Sequence, residues 1–431
     1  MLKVPYVTSY LTEHFGDDAF GTMEGYEAKG GYRAATRAIT QMSPDEVIER
    51  VKESGLQGRG GAGFPTGMKW SFMPKETEGP KYLVCNADES EPGSFKDRIL
   101  MERAPHLIIE GILIAAWAIG ASKTFIYVRG EYGDSARQLM RAVQEAYNKG
   151  VLGRRVMRSD FSHDIVIQRG AGAYICGEET GLLESLEGKK GMPRKKPPFP
   201  AQFGAFGMPS TVNNVETFAH VPHIISKGTD WFRSFGTEKS PGTTLFGVSG
   251  HVLRPGLFEL PLGTPLQEIV FDHAGGPPEG RRVKGVIPGG MSMPILPADQ
   301  LEVPMANEFL RERKTMLGTG GVMVMDDTTC MVRVGEVITY FFRDESCGQC
   351  TQCREGTGWL HRIIRRLERG AGAPDDLDIL LDVAGNMEGQ TICAFADAAA
   401  WPVQGLIRHF RSDFEQHIRQ HKCPFPESFA L

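Results

Sequence analysis

Asp164-Ile165-Val166-Ile167-Gln168-Arg169-Gly170-Ala171-Gly172-Ala173-Tyr174-Ile175-Cys176-Gly177-Glu178-Glu179-Thr180-Gly181 reads as a strand, a glycine turn and the opening of a helix. The strand is Asp164 to Gln168, a short run rich in β-branched residues. Two similar runs precede it, Lys81 to Asn86 and Lys123 to Arg129. Helical patterns over Pro105 to Gly120 and Ser135 to Lys149 lie between the three. Strands alternating with helices predict an α/β fold with a mostly parallel sheet. Ligands of such sheets bind beyond the carboxyl ends of the strands, so the glycine turn is a candidate cofactor turn. Glu178 and Glu179 at the helix start suit the macrodipole, which explains them without any ligand.

Outward from this unit the chain divides into four segments. Residues 1–66 form an N-terminal helical segment that ends in a glycine-rich loop. Ser43-Pro44-Asp45-Glu46 is a capping box with proline at the first helical position, and its helix stops at Gly55. Residues 67–236 hold the α/β unit. In 237–326, Thr243 to Val252 and Gly256 to Leu262 pair around Arg254-Pro255-Gly256, followed by a helix over Pro265 to Phe271, a pattern that resembles a small β-grasp module. Residues 327–431 turn helical, with amphipathic stretches at Gly358 to Glu368 and Gly405 to Arg419.

Charge is close to balanced, with 48 basic and 53 acidic residues among 431. That excludes a whole-chain electrostatic case for nucleic acid, which needs a basic excess. Glycine is in surplus: 52 residues, or 12%, against a usual share of about 7%. Met1 to Tyr10 shows no leader pattern. The most apolar run, Ile112 to Ala121, is half the length of a membrane span and reads as a buried helix. The expected location is the cytoplasm, free or peripheral on a membrane assembly.

The cysteines carry the strongest chemical signal. Cys347, Cys350 and Cys353 are spaced at i, i+3 and i+6, and Cys393 follows 40 residues later. C-x2-C-x2-C lets one loop wrap one face of a cuboidal iron–sulfur cluster, and a distant thiolate completes it. Structural zinc more often uses two separated C-x2-C pairs. Cys85, Cys176, Cys330 and Cys423 are scattered and read as bland.

Three further stretches look like ligand contacts. Gly58-Arg59-Gly60-Gly61-Ala62-Gly63-Phe64-Pro65-Thr66-Gly67 contains G-x-G-x-x-G but follows a helix, so it is no ordinary dinucleotide fingerprint. It suits backbone approaching a flat or anionic ligand, with Lys69 at hand and Phe64 and Phe72 able to stack or simply to pack. Asn86-Ala87-Asp88-Glu89-Ser90-Glu91 places three carboxylates at a strand end. Thr211-Val212-Asn213-Asn214-Val215-Glu216 supplies two amides able to hold phosphate or ribityl groups, unless they merely form a turn.

GRGGAGFPTG-x-KW, NADESEPG, GAGAYICGEET, KPPFPA, TVNNVET, ESCGQCTQCREG and TICAFAD occur in this order along the chain. As a set they resemble the NADH-binding flavoprotein of respiratory complex I, known in bacteria as its F subunit. The resemblance implies a Rossmann-like α/β domain for FMN and NADH, a β-grasp (ubiquitin-like) module of the soluble-ligand-binding type, and a helical bundle with one [4Fe–4S] cluster. It makes the whole glycine loop, Gly58 to Gly67, cofactor-binding, and assigns FMN to Gly61, Lys69, Asn86, Asp88, Glu89, Tyr174, Gly177, Glu178, Val212, Asn213 and Asn214. Phe64, Phe72 and Phe199 would surround the adenine of NADH, with Lys196 as a polar contact. Glu91 and Glu179 would be the carboxylates beside the reacting groups. The cluster ligands would be Cys347, Cys350, Cys353 and Cys393.

The implied reaction is hydride transfer from NADH to FMN, then single-electron transfer to the cluster and to partner subunits. No protein base is needed for hydride transfer, so positioning and electrostatics are the protein's task. The implied partners are a small thioredoxin-like [2Fe–2S] subunit and a large iron–sulfur subunit. The membrane, at its cytoplasmic face, is reached only through the complex. A rival reading is the diaphorase subunit of a soluble NAD-reducing hydrogenase or formate dehydrogenase. The flanks, about 57 residues before the loop and 38 after Cys393, hold no further cysteine cluster, which favours the quinone-linked reading.

Overall fold

The computed structural model describes residues 10–425. The leader reading at Met1 to Tyr10, Tyr10 apart, and the last six residues of the 327–431 segment lie outside them. Strands β1 (Tyr82–Ala87), β2 (Lys123–Val128), β3 (Asp164–Arg169) and β4 (Ser210–Asn214) form one sheet in the order β3-β2-β1-β4. All three pairings are parallel, as the strand–helix alternation predicts. β4 was not foreseen as a strand. Asn213 and Asn214 end it, and the Asn214 side chain caps the next helix, Val215–Lys227, by accepting from the Glu216 N–H at 3.0 Å.

The apolar run is the buried helix Pro105–Ile119, closed by Gly120 in the left-handed conformation. Its one acidic residue, Glu110, explains how the N-terminal segment docks. Glu110 accepts from the Tyr26 hydroxyl and from the backbone N–H groups of Tyr32 and Ala35. Burial raises its pKa above the ordinary carboxylate range, while the Tyr26 bond counters part of that. The helix Pro44–Ser54 has the expected capping box and ends at Gly55.

The third segment is a five-stranded sheet of order β6-β5-β9-β7-β8. Its strands are β5 (Thr243–Gly250), β6 (Gly256–Pro261), β7 (Val283–Ile287), β8 (Leu296–Pro297) and β9 (Gly321–Asp326). β5 pairs antiparallel with β6 and parallel with β9, the arrangement of a β-grasp. The helix expected over Pro265 to Phe271 is one turn, Leu266–Glu268, that continues as a wider turn, Ile269–His273. Phe246, Val248, Val286, Val322 and Val324 fill the core of this module. Helices Met331–Glu345, Thr351–Glu368, Asp376–Met387 and Phe395–Gln420 then form a bundle around Phe342, Leu360, Leu380 and Phe414. Among the described residues no helix is long and apolar enough to cross a membrane.

Candidate cofactor cleft and thiol cavity

A cleft of about 1200 Å³, open to solvent, lies beyond the carboxyl ends of β1 and β4. Five parts of the chain wall it, one of them the start of the helix Phe395–Gln420, with Phe395 and Trp401. Asn86 lies near the end of β1, Asp88 and Glu91 follow that strand, and Asn214 ends β4. Gly60, Gly61 and Ala62 form a second wall between the helices Pro44–Ser54 and Thr66–Ser71. Gly61 has φ +112°, a backbone state that a side chain would strain. Tyr174, Gly177 and Glu178 form the third wall, on a short 3-10 turn (Tyr174–Gly177) that precedes the helix Glu179–Leu186.

The fourth wall was not foreseen. Gly289, Ser292, Gly318 and Thr319 belong to turns of the β-grasp module and close the cleft from the far side. The glycine pairs Gly289-Gly290 and Gly320-Gly321 were the available signal in the sequence. Part of the glycine surplus without an assigned ligand therefore faces the same cleft.

The carboxylates of the acidic loop have different roles. Glu89 accepts from the Asp97 and Arg98 N–H groups, each at 3.0 Å, and so caps the helix Lys96–Arg103. Glu91 accepts from the Tyr174 hydroxyl at 2.6 Å, the Ser292 N–H at 2.6 Å and the Ser292 hydroxyl at 2.8 Å. Asp88 differs: Oδ1 accepts from Ser90, but Oδ2 is buried without a protein partner. Burial pushes the Asp88 carboxyl up to about 7, with the Ser90 bond opposing. An orphaned buried acceptor at the cleft wall fits a ligand hydroxyl or N–H group.

Behind Asn214 lies a buried ion cluster that sequence reasoning missed. The Lys96 ammonium, 2% exposed, pairs with Asp97 at 2.8 Å and Glu216 at 2.9 Å. Burial raises the Glu216 pKa, but Lys96, His220 and Arg59 together outweigh it and hold the carboxyl at about 2. Asn214 donates to Asp97 at 2.6 Å, so this cluster fixes its amide beside the cleft.

Lys69, Glu179 and Lys196 form a second cluster. Lys69 contacts Glu179 at 2.7 Å and donates to the Val212 carbonyl at 2.7 Å. Lys196 lies 3.3 Å from both Glu178 and Glu179. Burial raises the Glu179 pKa, yet the two ammoniums prevail and lower it. Glu178 spends Oε2 on the N–H groups of Thr180 and Gly181, so the helix cap is real. Phe64, Phe72 and Phe199 are 45%, 57% and 54% exposed, which is unusual for phenylalanine and does not fit core packing.

Several expected contacts have structural work instead. The Arg59 guanidinium is buried and donates to the carbonyls of Gln57, Pro241 and Thr243, tying the glycine loop to β5. A Cβ on Gly67 would lie 2.4 Å from the Lys52 nitrogen, so this glycine serves helix–helix approach. Gly58 donates to the Phe64 carbonyl and closes the loop on itself, with Gly63 and Pro65 in the turn. Thr66 is fully buried, and the Asn213 Oδ1 accepts from the Trp70 indole at 2.9 Å.

Cys347, Cys350, Cys353 and Cys393 line one small cavity with Pro193 and Phe395. None forms a disulfide. Burial, together with the neighbouring thiols, pushes Cys353 up to about 11 and Cys393 up to about 12. Four converging sulfurs at the start of the helix Thr351–Glu368 fit a cationic metal centre that binds them as thiolates. Phe395 lines both this cavity and the cleft.

A strand-end cleft that shares a wall with a four-thiol cavity defines a flavin and iron–sulfur electron-transfer protein. Residues 51–223 match the Nuo51 FMN-binding domain, 245–296 the SLBB domain, and 333–417 the NADH-ubiquinone oxidoreductase-F iron-sulfur binding region. The second NADH-quinone oxidoreductase F subunit of Rhizobium meliloti (strain 1021) is 53% identical over 93% of this chain and 95% of its own length. The F subunit of the Mycobacterium tuberculosis (strain ATCC 25618 / H37Rv) enzyme is 51% identical over 97% of this chain and 95% of its own. A chain of an NAD+-reducing [NiFe]-hydrogenase in the air-oxidized state superposes with a TM-score of 0.82 at 38% identity, covering 95% of this chain and 67% of that one. The chain belongs to the family of NADH-quinone oxidoreductase F subunits.

Proposed function

We propose that the cleft holds FMN with NADH over it, and that electrons leave through a [4Fe–4S] cluster on Cys347, Cys350, Cys353 and Cys393. The observation that carries this reading is the shared wall: Phe395 bounds the cleft on one side and the four thiols on the other. Bound FMN supplies the exchange between two-electron and one-electron transfer. The chain's own residues bind and orient. Gly60 to Ala62, Asn86 and Asn214 line the cleft, and Asp88 Oδ2 offers an acceptor with no other partner among the described residues. Lys69 and Lys196 offer cations for phosphate, tempered by Glu179 between them. Glu91, held by Tyr174 and Ser292, orients rather than transfers a proton. Phe64, Phe72 and Phe199 offer bare ring faces for adenine.

The quinone-linked complex is the favoured setting: the relatives at 51% and 53% identity, matched over 95% of their own length, are F subunits of NADH-quinone oxidoreductases, whereas the hydrogenase chain is 38% identical and only 67% covered. In it, a small thioredoxin-like [2Fe–2S] subunit and a large iron–sulfur subunit receive the electrons at the cytoplasmic face of the inner membrane. The test is anaerobic NADH addition to the full chain co-expressed with the small [2Fe–2S] partner. The flavin absorbance bleaches and a reduced-cluster EPR signal grows. Bleaching without any cluster signal rejects the electron route, and no bleaching rejects the NADH site.

A further inference from the structure

Cys330 and Cys423, bland in the sequence, meet at the opposite end of the helical bundle from the four-thiol cavity. Cys330 precedes the helix Met331–Glu345, Glu368 ends the helix Thr351–Glu368, His417 lies near the end of Phe395–Gln420, and Cys423 follows that helix. One ligand atom from each lies within 4.8 Å of all the others. Cys330 Sγ is 3.4 Å from Glu368 Oε2 and 3.4 Å from His417 Nε2, and those last two atoms are 3.2 Å apart. A tetrahedral zinc ion, with Zn–S near 2.3 Å and Zn–N or Zn–O near 2.0 Å, separates its ligand atoms by roughly 3.5 Å for S···N and roughly 3.3 Å for N···O. The spacings among Cys330, Glu368 and His417 match that shell, and Cys423 lies within 4.8 Å of each.

The surroundings are those of a built metal site. His417 Nδ1 is 2.8 Å from the Asp413 carbonyl, which makes Nδ1 the protonated nitrogen and leaves the Nε2 lone pair for a ligand. The Arg333 N–H points at Cys330 Sγ at 3.4 Å, a bond that favours thiolate. The Phe425 ring stacks on His417, with centroids 6.5 Å apart, and covers the group. Cys353 and Glu368 are 15 positions apart on one helix, or about 22 Å along its axis, so this cluster is separate from the iron–sulfur ligands.

We propose that Cys330, Glu368, His417 and Cys423 bind one structural Zn²⁺. Two thiolates, a neutral imidazole and a carboxylate make a closed four-coordinate set, with no open position for substrate. Binding releases the two thiol protons and involves no redox step. The ion fastens three helix ends and the segment after the last helix to one point, so it staples the bundle that carries the cluster.

Elemental analysis of the full chain with its cofactors, purified without chelators, gives about one zinc beside about four irons. Cys423→Ser loses the zinc and keeps iron and flavin, whereas Cys353→Ala loses iron and keeps zinc. X-ray absorption at the zinc edge of the unaltered chain shows two sulfur and two nitrogen or oxygen neighbours, which tests the site even if the serine variant does not fold. Absence of stoichiometric zinc after zinc-replete growth overturns the proposal. So do zinc retained by Cys423→Ser, a shell of sulfur alone, or a Cys330–Cys423 disulfide in the unreduced chain.

Discussion

The Phe395 ring lies 5.8 Å from the Tyr174 ring, centroid to centroid and edge to face. The Tyr174 backbone N–H also donates to the Glu345 carboxylate at 3.0 Å, two residues before Cys347. The cofactor turn and the cluster loop are therefore one packed unit. Phe395→Ala opens the common wall and admits water to the thiol cavity. The expected result is about tenfold faster iron release to a chelator, with FMN binding retained. An unchanged release rate refutes the shielding role.

Cys353→Ala removes one of four proposed cluster ligands. The reduced-cluster EPR signal disappears, while NADH oxidation by artificial two-electron acceptors continues in part. A surviving signal shows that the ligand assignment is wrong.

Asp88 gives a pH signature. Its carboxyl is raised from 3.8 to about 7 by burial, so its contribution to stability is full below its unfolded pKa and fades as pH climbs through about 7. Asp88→Asn removes that loss. In flavin-free protein the variant gains about 2–4 °C on the parent at pH 8 and little at pH 5, read by thermal unfolding.

Arg59 serves backbone rather than ligand. Arg59→Ala leaves buried carbonyls of Pro241 and Thr243 without their donor, and the cost is about 3 kcal/mol in urea unfolding. Arg59→Lys recovers only part, since one ammonium lacks the guanidinium fork. A lower midpoint at constant m marks a stability effect.

Phe64 and Phe72 hold their rings 6.2 Å apart, and both are exposed. If adenine stacks there, Phe72→Ala raises the KM for NADH about tenfold and leaves kcat unchanged. An unchanged KM removes Phe72 from the NADH site.

The parallel sheet was legible because buried strands such as Tyr82–Ala87 and the helix Pro105–Ile119 announce themselves by local pattern. The thiol cavity was legible because three of its cysteines share one loop. Lys96 with Glu216 was not, since a buried ion pair across 120 positions leaves no local period. The same holds for Gly61 and Gly318, which face one cleft from two different modules. Cys330 and Cys423 looked scattered for that reason too: only the return of the last helix brings them together.

The walls of the cleft run from Arg59 to Trp401 along the chain. A ribosome therefore makes more than 340 residues between the first wall and the last before the cleft can close around anything. Flavin capture must wait until Trp401 is made and folded, and the nascent chain reaches its bundle with the nucleotide seat still incomplete. Loading of the cofactor thus reports that all three structural modules have already met.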